Sequence, residues 1–150
     1  MSSKKHQGSP SILKAYLNAP NQVLAAGWNV IRLDAVLPNH NRLNEFNVAT
    51  NIFIPSHAGY YFIYAQTNGI IAAGVGFLHA IEISLNGVTI ADDRMVFQSV
   101  GGTNCVKTST LQYLTPNDQI RILATGYAGP NIVTLLNSAS ETFLTIFRVR

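Results

Sequence analysis

The stretch Gly59-Tyr60-Tyr61-Phe62-Ile63-Tyr64-Ala65-Gln66-Thr67-Asn68 decides the fold. It is rich in aromatic and β-branched side chains, contains no proline, and reads with a period of two. Tyr61, Ile63, Ala65 and Thr67 fall on one face; Tyr60, Phe62, Tyr64 and Gln66 fall on the other. Both faces are apolar at the start of the run, which predicts a strand buried on both sides. A turn over Ser56, His57, Ala58 and Gly59, after Pro55, leads into it.

Short runs of the same kind flank this one. Downstream, Ala80–Leu85 and Val88–Ala91 bracket Asn86-Gly87, a hairpin signal because both turn residues tolerate the positive φ of a type I′ turn. Cys105–Leu114 and Gln119–Thr125 bracket the turn Thr115-Pro116-Asn117-Asp118. Glu141–Val149 alternates Phe143, Thr145, Phe147 and Val149 against Thr142, Leu144, Ile146 and Arg148. Asp92-Asp93-Arg94 and 126–131 read as loops. Upstream, Ile12–Leu17 and Trp28–Ala35 read as strands, the latter with a break near Ile31, and Asn39–Asn44 as a polar loop. Helical periodicity is nearly absent; Gln22 to Trp28 has room for one turn, ended by Gly27. Eight to ten short strands without an internal repeat predict an all-β chain, a jelly roll or Greek-key sandwich of two sheets.

Composition sharpens this. The 150-residue chain is 47% hydrophobic and 11% charged, where an ordinary soluble domain carries roughly 25% charged residues. Disorder is excluded, and the length suits one domain over 11–150 behind a flexible polar tail, 1–10. So few charges require a neutral polar surface, apolar surface covered by partners, or both. Fourteen asparagines supply the first, and the apolar excess at Tyr60–Tyr64 and Gly69–Ile81 points to the second.

The formal net charge of +3 owes two units to Lys4 and Lys5. Residues 11–150 carry eight Lys/Arg against seven Asp/Glu with no basic stripe, so no nucleic-acid partner is expected. The run Gly69–Ile81 is too short and too glycine-broken to span a bilayer, and no secretory signal peptide is seen. Cys105 is the single cysteine and reads as a small core or interface hydrophobe.

Five segments in order, over about residues 11–150, give the chain a family likeness. Phe46-Asn47-Val48-Ala49-Thr50-Asn51-Ile52-Phe53 is similar to a Y-D-x-x-T-G-x-F stretch, and Pro55 to Ala65 to P-x-x-G-x-Y-x-F. Asn86-Gly87 matches a mid-chain N-G hairpin; Leu114 to Ile120 resembles L-x-x-G-D-x-V, and Thr142-Phe143-Leu144 a closing S-T-F. The chain thus resembles the globular head of complement C1q and its relatives in the tumour necrosis factor superfamily, as a divergent bacterial or viral member. Asn51, Asn117 and Thr145 stand where the family pattern has glycine; asparagine is the next residue able to take a left-handed conformation.

The resemblance implies a ten-strand jelly-roll sandwich of two antiparallel sheets that assembles as a homotrimer. It implies a non-enzymatic module that recognises a cell-surface, protein or glycan ligand through outer loops, in an extracellular, cell-surface or virion-surface setting. The alternative with the same fold is a structural protein of a virion or spore surface: a spike, fibre head or decoration protein. Tyr60, Tyr61, Phe62, Tyr64, Phe143 and Phe147 are the residues expected in the core or trimer interface. Asn39, His40, Asn41, Arg42 and Tyr127 are the ligand-loop candidates.

Catalytic groups and cofactors are not expected. His79 and Glu82 lie three apart, on opposite faces of a strand, and cannot share an ion. Neither a G-x-S-x-G elbow nor the histidine-rich metal motif of jelly-roll enzymes such as the cupins is present. Asp92 and Asp93 are calcium candidates, set against the simpler reading of a solvated pair with Arg94, since hard cations want six to eight oxygens. Asp118 is expected to accept hydrogen bonds from its own turn.

Overall fold

The computed structural model describes residues 10–18, 20–71, 77–97, 102–127 and 133–149. The tail to residue 9 and the glycine-rich centre of Gly69–Ile81 lie outside them. The described residues form thirteen strands and no helix: β1 (Ile12–Tyr16), β2 (Gln22–Val23), β3 (Trp28–Val30), β4 (Ala35–Val36), β5 (Phe46–Asn47), β6 (Ile52–Phe53), β7 (Gly59–Ile71), β8 (Phe77–Leu85), β9 (Val88–Phe97), β10 (Gly102–Leu114), β11 (Ile120–Tyr127), β12 (Val133–Leu135) and β13 (Phe143–Arg148). Several of those beyond the expected count are fragments of two or three residues.

Two antiparallel sheets face each other. In the first, β10 lines one side of β7, while β13 and β12 share the other side end to end. β1 pairs with β13, β4 with β1, and β2 with β12. In the second, β9 pairs with β8 and β8 with β11; the far side of β11 takes β3 and β6, and β6 takes β5. The core lies between them. Tyr61, Ile63 and Ala65 of β7, Leu144 and Ile146 of β13, Ile81 and Ile83 of β8, and Ile120, Ile122 and Ala124 of β11 are all buried. Phe53 meets Tyr61 edge to face at 5.8 Å, and the Tyr61 hydroxyl donates to the His57 carbonyl at 2.9 Å.

Asn86 and Gly87 carry φ of 51° and 84°, the two positive values the β8–β9 turn requires. One register shift, between Ile83 and Ser84, gives β9 its extra residue. Four departures from the sequence reading have local causes. The segment Trp28–Ala35 is not one strand: β3 belongs to the second sheet and β4 to the first, and the chain crosses between them with Ile31 and Leu33 in the core. The one helical turn allowed from Gln22 is instead β2, paired with β12. Asp92-Asp93-Arg94 is not a loop but the middle of β9, where charge marks an edge strand. Asn117 has no positive φ: the Thr115–Asp118 turn closes through the Asp118 side chain, which accepts from the Thr115 backbone N–H at 2.7 Å. Asn51, the other asparagine at a family glycine, does take φ 56°, and its side chain accepts from the Leu33 N–H at 2.6 Å.

Candidate functional site

The strand β7 that decides the fold also organises the largest candidate surface. Its even residues point away from the core, and the register carries their cross-strand partners onto the same face. Tyr60 lies opposite Tyr113, Phe62 between Leu111 and Phe147, and Tyr64 between Ser109 and Thr145. Rings meet across the strands: Tyr60 and Tyr113 at 5.3 Å, Phe62 and Phe147 at 5.3 Å, Tyr64 and Phe143 at 5.7 Å. Lys14 of β1 places its Nζ 4.2 Å from the Phe143 ring centre. Among the described residues no layer covers this face: Tyr60 is 56% exposed, Leu111 57% and Tyr113 50%. The expectation that β7 is buried on both sides therefore holds only for the side facing the second sheet.

Of the six residues expected in core or interface, five lie on this open face: Tyr60, Phe62, Tyr64, Phe143 and Phe147. Tyr61 alone points into the core, with no exposure. Leu111 belongs to the face and escaped the sequence reading. Its signal was the parity it shares with Tyr113, which becomes informative only once β10 is registered against β7. Cys105 occupies the same face opposite Asn68; the residue is exposed, but partial desolvation of the thiol itself leads in pushing its pKa up, which disfavours the thiolate.

The ligand-loop candidates sit elsewhere. Asn39 adopts φ 65° and accepts from the Arg42 guanidinium at 3.1 Å, so the two exposed side chains hold each other. His40 Nδ1 lies 2.8 Å from the Pro38 carbonyl oxygen. Asn41 turns inward: its amide donates to the Phe46 carbonyl at 3.0 Å, and its Oδ1 accepts from the Phe46 N–H at 3.1 Å. That pair fastens the loop to the β5–β6 hairpin, so Asn41 holds the loop in place and Asn39 and Arg42 present it. The Tyr127 side chain lies outside the described residues. Trp28, at 46% exposure, is an uncovered aromatic on the second sheet.

The end of that loop and the β5–β6 hairpin line a cleft of about 750 Å³, with Leu43 and Asn44 at one end of the lining segment and Pro55 and Ser56 at the other. Glu45, only 7% exposed, is among the residues that line it. Its Oε1 accepts from the Ser56 N–H and hydroxyl, both at 2.8 Å, and its Oε2 from the Ser11 hydroxyl at 2.5 Å. Ser56 Oγ is also 2.9 Å from His57 Nδ1. This is the reverse of a nucleophile triad. The acid holds the serine instead of orienting the histidine, and the serine proton is directed to the carboxylate.

The calcium candidates do not converge. Asp92 and Asp93 are adjacent on β9 and project to opposite sides of the sheet. Asp92 is bound to Arg94 at 2.7 Å, and Asp93 accepts from the Lys107 N–H at 3.1 Å. No group of three or more metal-type ligands occurs among the described residues, and the donor set does not fit the cation. His79 is fully buried and bridges the sheets, 3.1 Å from Thr67 Oγ1 and 2.7 Å from Asn104 Oδ1, and burial lowers its pKa. Glu82, on the outer side of β8, accepts from the Thr89 hydroxyl instead. Asp118 takes bonds from the Thr115 N–H, the Thr115 hydroxyl and the Asn86 amide; the Thr115 backbone bond leads in holding its carboxyl below the ordinary value.

No protein-family model and no curated protein matches the chain. Solved structures do. The Eiger TNF of S. frugiperda superimposes with a TM-score of 0.69 at 10% identity, covering 95% of this chain and 94% of that one. The globular domain of zebrafish complement 1qA gives 0.63 at 14% identity, covering 93% and 98%. Murine APRIL gives 0.63 at 14% identity, covering 93% and 99%. The fold is a C1q/TNF-like jelly roll.

Proposed function

We propose that the chain is a non-enzymatic recognition module that works as a homotrimer in an extracellular setting. The carrying observation is the open face of the first sheet. Paired aromatic rings and Leu111 cover a broad apolar area that the described residues leave in water. An uncovered patch of this kind marks a protein interface. Self-association buries it, and the likeness to the C1q/TNF-like fold supports three copies around this face. The polar loop with Asn39 and Arg42 lies on another part of the chain, free to meet a protein or glycan ligand, and three copies raise avidity at no cost in new contacts. Among the described residues no helix is long and apolar enough to cross a membrane. Light scattering of the purified chain tests the reading. The expected species has three times the 16.3 kDa chain mass; a stable monomer at micromolar concentration sinks it.

A further inference from the structure

Glu45 is the one acid among the described residues that is buried. The ion pairs found there, Arg32 with Asp34 and Arg94 with Asp92, leave it without a cation. Arg148, the cation that acts on neighbouring Tyr61, donates instead to the Ala58 carbonyl at 2.7 Å. Three hydrogen bonds from Ser11 and Ser56 hold the carboxylate and solvate it without cancelling its charge. Oε1 is filled by two donors; Oε2 has one and keeps acceptor capacity. Hydrogen bonds solvate a buried carboxylate, and a cation brought to its remaining acceptor site adds a charge-assisted bond that neutral donors do not supply. The space for one is at hand, because Glu45 and Ser56 line the cleft and Val48 and Ile54, both exposed, supply aliphatic walls. Arg42 does not line it; its guanidinium is held by Asn39.

We infer that this cleft receives a basic side chain, a lysine ammonium or arginine guanidinium carried by a protein partner. The charged head meets Oε2 of Glu45, and the methylene stem lies along Val48 and Ile54. Asn41 fastens the ligand loop to the same hairpin, so loop and cleft are presented together. The inference rests on the recognition reading above, but every group in it belongs to one chain, so it does not require the trimer.

The test is an amide-resolved NMR titration of the full chain with N-acetyl-lysine methylamide, with the norleucine analogue as the uncharged control. Expected is a saturable shift at Ser11, Glu45 and Ser56 for the lysine compound, at least about tenfold stronger than for norleucine and lost at higher salt. Glu45→Gln keeps the shape and removes the charge, and its binding should fall by about tenfold or more while the remaining spectrum stays folded. Equal shifts from norleucine, or undiminished binding by the folded Glu45→Gln protein, overturn the inference. So does binding seen only after Lys4→Ala with Lys5→Ala, because the occupant would then be a lysine of the chain's own N-terminal segment. Tighter binding of spermidine than of a lysine-containing peptide also overturns it in favour of a free amine. Light scattering on the same sample reads the trimer separately: a trimer with a silent cleft fails this inference alone.

Discussion

His79 is where a single residue reports on the whole sandwich. It sits on β8 and reaches Thr67 of β7 and Asn104 of β10, so its ring joins the two sheets, and Asn104 is steadied in turn by donating to Met95 Sδ. Burial leads in lowering its pKa below the ordinary 6.5, against smaller upward effects of Asn104 and Asp93. The sign follows. Above 6.5 both folded and unfolded chains hold the neutral ring; below it the unfolded chain takes a proton that the folded one refuses, so stability falls as pH falls. Urea midpoints from about pH 7.5 to about pH 5.5 should decline for the wild type and stay flatter for His79→Gln; parallel slopes would remove His79 as the cause. Tyr61 is the second residue that carries much of the fold. Tyr61→Ala should cost about 3–5 kcal/mol in a denaturation experiment, whereas Tyr61→Phe, which keeps the ring and loses the hydroxyl with its bond to His57, should cost about 1 kcal/mol. A neutral Tyr61→Ala would mean that the phase of β7 is reversed.

At the scale of elements, the short strand β12 explains two glycines that composition alone treats as breaks. Val133 is clamped between the sheets. A Cβ on Gly69 of β7 would lie 2.9 Å from its Cγ1, and one on Gly126 of β11 2.7 Å from its Cγ2. Gly126→Ala should therefore destabilise by about 1–3 kcal/mol through overpacking, and pairing it with Val133→Ala should recover part of that loss. Strict additivity in that cycle would show that the valine is not the obstacle. Gly87→Ala makes the contrast. Nothing crowds its Cβ, but φ of +84° is strained for alanine, so the loss of about 1–2 kcal/mol should not respond to any neighbour. Elements like these also mark how far sequence carries. The parity of β7 and β13 was legible because aromatic and β-branched residues alternate over whole strands, and the β8–β9 turn because Asn-Gly has a backbone reason to be there. The switch of sheet at Ile31 was visible only as a broken alternation, since both flanking fragments are too short to show a period. The charges of β9 masqueraded as a loop because an edge strand tolerates them for the same reason a loop does: neither has a neighbour on its outer side. The Glu45 cleft left no local trace. Its donors, Ser11 and Ser56, stand far from the acid in sequence on one side and across a hairpin on the other, and only folding brings the three together.

For the whole molecule, the shortage of charge and the open aromatic face are one fact seen twice. A chain with 11% charged residues cannot cover two faces of a sandwich with ions. The outer side of the second sheet carries Glu82, Asp92, Arg94 and Arg121, while among the described residues the outer side of the first carries rings, Leu111, the two lysines Lys14 and Lys107, and the Glu141 carboxylate held by Asn68 near one end. Under the trimer proposed above, the first face is the one that meets copies of the chain, and that proposal locates the variant that separates folding from assembly. Leu111 is 57% exposed in the single chain, so Leu111→Glu removes little from the monomer core. In an assembly it would bury an unpaired carboxylate among Phe62, Tyr113 and Phe147, at several kcal/mol for each copy. The expected result in light scattering is a monomer in place of the proposed trimer, with an unchanged β-sheet circular dichroism spectrum. Val88→Glu is the matched control: Val88 is 65% exposed at the β8–β9 hairpin of the other sheet, and the same charge there should leave the trimer intact. If Val88→Glu dissociates the assembly and Leu111→Glu does not, the contact lies on the second sheet and the roles of the two faces are exchanged.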